Sequence, residues 1–305
     1  MRRMKSEDTY IAPMKPTVSQ DTSIESLTRK ESRLNKLSSI LTYAVTLLVM
    51  VPFIWMIILS FQDNQTILTN PFSLPDSLNF DNYKRAFETL DMGLLYKNTF
   101  IIAIVSVFLE MIITFMSSYA ISRLIYKREK LKNGLYYFLI IGLAIPPFIL
   151  LFPIYRITIS LGIENTYLSL ILPYIATSIS FNTLLFTGFL KDFPAEIEEA
   201  AVIDGCNLFT LCTKVVFPVI RPVVMTIFIF NILYIWNEFP FAVTLISDPD
   251  HMTIPLAISE FKGRYNIDYG GIVSASLLFI IPQLVFYGVF QKHIIEGMTA
   301  GAVKG

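Results

Sequence analysis

The chain has 305 residues, of which 54% are hydrophobic, 14% aromatic and only 16% charged, with 24 basic side chains against 24 acidic ones. A soluble domain carries about 25% charge, so this much apolar surface needs a solvent other than water, and the balanced charge offers no basic excess to nucleic acid. Cys206 and Cys212 fall in one segment without a CxxC or Cys/His cluster, which supports neither a disulfide framework nor a metal site.

Residues 1–36 are polar, rich in Ser, Thr, Lys and Arg, and hold no apolar run resembling a cleavable signal. They read as a cytosolic, poorly ordered tail. A helix crossing about 30 Å of hydrocarbon needs roughly 20 mainly apolar residues. Six stretches qualify, at residues 37–61, 99–125, 135–153, 167–190, 219–246 and 271–290, and they make residues 37–305 one six-span domain with membrane lipid as its solvent. The loop at 62–98 contains FDNYKRAFETL, whose pattern predicts an amphipathic surface helix.

Basic residues orient the bundle, because Lys and Arg concentrate in cytoplasmic loops. The tail holds Arg2, Arg3, Lys5, Lys15, Arg29, Lys30, Arg33 and Lys36, and the second loop holds Arg123, Lys127, Arg128, Lys130 and Lys132. With both termini inside, about 18 of the 24 basic residues are cytoplasmic.

Between the fourth and fifth spans lies KDFPAEIEEAAVIDGCNLFTLCTKVVFPVIRP, acidic where a basic loop is the local habit. Its signals are those of a helical hairpin over about 192–218. Asp192 can cap an amino end, Pro194 suits a first turn, and Glu196, Glu198 and Glu199 complement the helix dipole. Gly205 suits a left-handed carboxyl cap, and LFTLCTKVV forms a second helix that Pro218 stops. Ile197, Ala200, Ala201 and Asp204 share one side at spacings of three and four, giving a smooth face. By spacing alone that face fits the protein's own helices, with a docking groove as the alternative.

Glu199-Ala200-Ala201, Gly205 three residues on, and the later Pro218 resemble the signature of the membrane permeases of binding-protein-dependent ABC importers. Pro194, Asp204 and Pro222 extend the match, while Phe217 stands where Leu is usual and Cys206 where Ala or Ser is common. The resemblance narrows to the carbohydrate class, of the maltose-type second permease, through Asn98-Thr99, Pro146, Pro153, Gly162-Ile163-Glu164-Asn165-Thr166, Trp236-Asn237-Glu238-Phe239 and the closing Gly301-Ala302-Val303-Lys304-Gly305.

The resemblance implies an all-α integral membrane protein with the six-helix bundle of type I ABC importer permeases, in a bacterial or archaeal cytoplasmic membrane. It implies that Glu199, Ala200, Ala201, Asp204, Gly205 and Pro218 couple the chain to an ATP-binding cassette ATPase dimer, which binds ATP-Mg while this chain holds no cofactor. A homologous second permease, an extracytoplasmic solute-binding protein and a sugar or oligosaccharide substrate complete the expected set, with transport by alternating access.

Polar side chains in a span are costly and face the bundle, a cavity or one another. Asn182 and Gln283 read as interhelical hydrogen-bonding groups. Asn231, Trp236, Asn237 and Glu238 suit a polyhydroxyl solute, since amides and carboxylates pair with hydroxyls and an aromatic ring covers a sugar's apolar face. Asn231 and Glu238, seven apart, share a helix face from which Asn237 diverges by about 100°. Glu110 is open to burial, pairing or water. The sequence holds no GxxxxGK[ST], HExxH or GxSxG motif, and its two histidines, His251 and His293, fall in different compartments. The reading is therefore a subunit and not an enzyme. Its rivals are a permease for polyamines, amino acids or phosphate, an ion-gradient secondary transporter, and a scaffold that moves nothing.

Overall fold

The computed structural model describes residues 19–124, 128–263 and 266–302. Two compact units divide the chain, Met1–Met56 and Ile57–Gly305. The first consists mainly of α1 (Ser19–Ser60), whose 23 residues from Ser38 to Ser60 are long and apolar enough to cross a membrane. Helix begins well inside the segment predicted as a poorly ordered tail: residues 19–36 are helical, and residues 1–18 lie outside the described residues. Once the apolar span is helical, adding turns to it needs only propagation and no new nucleus.

The second unit opens with two short helices, α2 (Asn64–Thr69) and α3 (Asp81–Thr89). The latter is the amphipathic segment read from FDNYKRAFETL. α4 (Met92–Arg123) and α7 (Tyr167–Asp192) pack along one another and, with α14 (Tyr269–Ala302), supply the remaining unbroken apolar helices. At about 1.5 Å per residue the 32-residue α4 is about 48 Å long, enough to protrude from a bilayer core.

The other two predicted spans are broken. α5 (Glu129–Ile140) runs through a 3-10 turn at Ile141–Ala144 and meets α6 (Pro147–Leu161) at an angle of 103°. Pro146-Pro147 removes two backbone donors and bars helical geometry at Ile145, which is extended at φ −98° and ψ 113°. The fifth predicted span, 219–246, divides into helices at Arg221–Trp236 and Pro240–Leu245, and the helical stretch Leu208–Val219 before it meets the first of these at an angle of 80°. Counting each bent pair as one span gives six by length and composition among the described residues.

Three short segments make up that stretch: α9 (Leu208–Thr210), a π-helical turn (Leu211–Val216) and α10 (Phe217–Val219). Preceding it is α8 (Ala195–Ile203); following it are α11 (Arg221–Trp236), α12 (Pro240–Leu245) and α13 (Ile254–Ala257). Between Pro249 and Phe261 two further 3-10 turns occur. Among the described residues the β-pairing is limited to an isolated bridge between Lys262 and Ile267.

The apolar core of this unit has three centres. One joins α4, α7, α11 and α12 around Val107, Leu170, Tyr174 and Phe241. A second lies under α8 and the π turn around Phe186, Leu190, Ala201, Val216 and Ile227. The third gathers α3, the start of α4 and α14 around Ala86, Leu95, Trp236 and Phe279. Signature residues tie these together: Asn98 Nδ2 donates to the carbonyls of Asp250 and Met252 at 2.9 Å each, and Ile254 N donates to Thr99 Oγ1 at 3.0 Å. Gly162 ends α6 in the left-handed region at φ +65°. Three residues later Asn165, also left-handed, uses Oδ1 to accept from Ser247 N and Asp248 N. Of the closing Gly301-to-Gly305 motif, residues 303–305 lie outside the described residues.

Candidate functional site

The segment between α7 and α11 folds as a hairpin. α7 runs through Asp192, and Pro194 occupies the cap position of α8, so Asp192 closes the earlier helix and does not cap the later one. Pro194 is preorganised for this at φ −60° and ψ 123°. Glu196 and Glu198 lie in the first turn of α8, where the helix dipole favours negative charge.

Gly205 ends α8 as the sequence predicts, at φ +83°. Its N–H donates to Val202 O at 3.0 Å, and the N–H of Cys206 reaches back to Ala201 O at 3.0 Å. These are the paired bonds of a Schellman cap. Asn207 then caps α9 by accepting from Thr210 N at 2.9 Å. Pro218 does not stop this helix, contrary to the sequence reading. The wider π turn carries the Phe217 N–H to Cys212 O, five residues back, and Pro218 sits in the following turn. A proline clashes with the carbonyl four residues before it in a regular helix, and a π turn changes that register. Helix ends instead at Ile220, φ −84° and ψ 5°.

The predicted alanine face divides. Ala201 is buried with Leu211 and Val216, and Cys206 packs against the same cluster, whereas Glu199, Ala200 and Asp204 are exposed. What the hairpin offers outward is apolar: Ile203 is 85% exposed and Phe209 77%, with Val202 and Leu208 beside them in sequence. Glu198 points the other way. Its Oε1 lies 2.9 Å from Arg123 Nε at the end of α4, and its Oε2 accepts from the Tyr119 hydroxyl at 3.1 Å.

The second locus is the break after α11. Glu238 is buried and accepts from the Tyr174 hydroxyl at 2.7 Å, from Phe241 N at 2.6 Å and from Ala242 N at 3.2 Å. It thereby caps α12, whose Pro240 has no N–H to satisfy. Asn231 is buried too, donating to Asn182 Oδ1 at 2.9 Å, which bears out an interhelical role for Asn182. Trp236 packs edge-on to Phe100 at 5.0 Å between ring centroids. Of the four proposed path residues only Asn237 is exposed; its Oδ1 accepts from Gln283 Nε2 at 3.0 Å.

Asn237, Glu238 and Tyr234 border a cleft of about 270 Å³ whose other wall is Pro147, Phe148 and Leu151 of α6. Sequence reading missed Tyr234 and the α6 wall, because nothing in residue type says that the bend at Pro146 brings α6 against this break. Glu110, left open by sequence, is fully buried and belongs to no ion pair among the described residues. It stands in an α4 stripe with Ser106, Thr114 and Ser118, all at four-residue spacing and all fully buried.

Residues 116–299 match the family model described as binding-protein-dependent transport system inner membrane component. An ABC transporter permease protein of Caldicellulosiruptor sp. (strain Rt8B.4) is 38% identical over 261 residues, covering 85% of this chain and 94% of that one. The multiple sugar-binding transport system permease protein MsmG of Streptococcus mutans serotype c is 32% identical, covering 90% of this chain and 100% of its own. A solved bacterial ABC transporter involved in import of the acidic polysaccharide alginate shares the fold, with a TM-score of 0.72 at 20% identity, covering 87% of this chain and 97% of that one. The chain therefore belongs to the binding-protein-dependent family of ABC importer permeases, inner membrane components of transport systems.

Proposed function

We propose that this permease moves a sugar or oligosaccharide inward by alternating access, with both termini in the cytoplasm and the α8 hairpin docked on an ATP-binding cassette ATPase. The observation that carries the reading is the hairpin itself. The Glu199-Ala200-Ala201 and Gly205 signature builds a capped turn that holds Ile203 and Phe209 outward, and two exposed large apolar groups on a rigid tip suit a partner's groove. Glu199, Ala200 and Asp204 form the polar surround of that tip, Gly205 shapes it, Pro218 lies in its second limb, and Ala201 acts from beneath as packing.

Sugar specificity is supported by relatives named for sugar transport and by the chemistry of the cleft at the α11 break. There an amide, a tyrosine and a phenylalanine face one space, the groups that pair with hydroxyls and cover a pyranose face. Asn237 and Tyr234 are the residues we assign to the path. Asn231 and Trp236 set its shape from behind, through Asn182 and Phe100, and Glu238 borders it with its carboxylate held by Tyr174. A homologous second permease completes the pathway, a pair of ATPase subunits binds ATP-Mg beneath it, and a solute-binding protein delivers the sugar outside.

The test is co-purification of the tagged chain from its native membrane, with identification of its partners and a vanadate-sensitive ATPase assay. Recovery of an ATPase, a second permease and a binding protein that takes up saccharides from a defined panel supports the reading. A chain recovered alone, active in proteoliposomes on an ion gradient without ATP, overturns it. A binding protein selective for polyamines, amino acids or phosphate would overturn the sugar assignment only.

A further inference from the structure

The hairpin is covalently continuous with α7 and α11, so any force on it reaches those two helices through the backbone. α4 has no such connection, yet it packs along α7 and lines the same core. Its last helical residue, Arg123, makes three contacts with the hairpin's root. Nε lies 2.9 Å from Glu198 Oε1, an Nη donates to Phe193 O at 2.6 Å, and the guanidinium sits 5.6 Å from the centre of the Phe193 ring. Tyr119, one turn earlier on α4, donates to the other Glu198 oxygen.

An exposed ion pair would contribute little, but here the side chains are only 17% and 13% exposed. One carboxylate oxygen accepts from Tyr119 and the other lies 2.9 Å from the guanidinium as a charge contact outside hydrogen-bond geometry, while the Nη bond to Phe193 O supplies the directional link. Phe193 and Glu198 flank the first turn of α8, so the contacts hold both the position and the rotation of that helix. We propose that Arg123 is a positioning residue for coupling: it ties the hairpin to α4, so that a displacement of α8 carries α4 with it. The proposal rests on the docking role given to the hairpin above.

Spin labels at Phe108→Cys, exposed on α4, and Lys214→Cys, exposed on the second limb of the hairpin, report the link. The free Cys206 and Cys212 are replaced by serine. The complete importer, with its second permease and ATPase, is measured before and after trapping with ATP-Mg and vanadate. The two labels keep their separation to within about 2 Å in the otherwise unaltered chain, as expected of one packed body. In Arg123→Met, which keeps an apolar stem and removes the charge and donors, trapping changes the separation by more than about 4 Å. The double change Arg123→Glu with Glu198→Arg returns it to within about 2 Å, a rescue that loss of packing alone would not give.

Should Arg123→Met fail to assemble, Glu198→Gln is read by the same criterion. An Arg123→Met separation that stays fixed on trapping, a shift already present in the unaltered chain, or a charge swap without rescue overturns the proposal. Failure of the ATPase to co-purify with the unaltered chain overturns the docking role, and this proposal with it.

Discussion

Gly205 is the most direct handle on the hairpin. It sits at φ +83°, and a Cβ added there would meet no heavy atom within 4 Å. The cost of Gly205→Ala is therefore conformational and not steric. Left-handed geometry costs an L-residue about 1–2 kcal/mol, and reduced freedom of the unfolded chain offsets about 0.4–1 kcal/mol of that. The net is about 1 kcal/mol, or about fivefold in the opening equilibrium of the cap. Gly205→Asn should cost less, because Asn tolerates the left-handed region. Gly205→Pro should cost about 3 kcal/mol or more, since it fixes φ near −65° and removes the donor to Val202 O. Hydrogen exchange of the Cys206 amide, which closes the cap on Ala201 O, reads the effect in membrane-embedded protein. Protection should fall in the order Gly, Asn, Ala, Pro, with ATPase association following the same order. Equal protection in Gly205→Ala and the unaltered chain, or Asn as damaging as Pro, would refute the assignment of this residue as a left-handed cap.

Phe209→Ala should weaken ATPase association by about 1.5–3 kcal/mol, the burial value of a large apolar side chain, with no loss of membrane insertion; a titration of purified ATPase onto membranes measures it, and an unchanged midpoint counts against docking at the tip. Glu238→Ala should lower thermal stability in detergent by about 3 kcal/mol, because three donors lose their acceptor, whereas Tyr174→Phe, which leaves two of them bonded, should cost about 1 kcal/mol. Equal melting of the two variants would mean that the carboxylate does not cap α12. At the loop after α12, the His251 ring 2.8 Å away and the Asp250 N–H hold Asp248 below the usual carboxylate range. A depressed value stabilises above the unfolded pKa of about 3.8 and is lost as pH falls through the lower folded value. Protection of the Asp250 amide should therefore hold from pH 7 to pH 5 and drop only in stronger acid, and Asp248→Asn should remove that drop.

Much of this architecture was legible because the bilayer asks a simple question of a sequence. An apolar run of about 20 residues has few other uses, so the positions of α4, α7 and α14 follow from composition. Prolines marked the places where that question has two answers. The Pro146-Pro147 pair interrupts a run that is apolar throughout, so hydropathy reads one span while the missing donors and the extended Ile145 make two helices at 103°. The inverse holds at Pro218. Proline there reads as a stop, but the π turn before it absorbs the ring, and the bend falls two residues later at Ile220. Local rules state what a proline forbids in a regular helix; they do not say whether the helix nearby stays regular.

The site divides along the same line between residue type and surroundings. Gly205 was readable because a left-handed cap is a local requirement, satisfied within six residues. Glu198 was not, because three glutamates within four residues, Glu196, Glu198 and Glu199, differ only in where α8 rotates them, and that rotation is held by Arg123 more than seventy positions earlier. At the fifth span the seven-residue spacing correctly placed Asn231 and Glu238 on a common side, yet that side is occupied by the protein. Asn231 meets Asn182, and Glu238 meets Tyr174 and the start of α12, so α7 is tied to α11 at one level and to the break after it at another, about 12 Å apart along α7. Polar groups buried against the protein in this way present little to a solute. The groups that can gain are those the break leaves facing open space, Asn237 and Tyr234, and a helix that ran unbroken to residue 246 would have left neither of them beside α6.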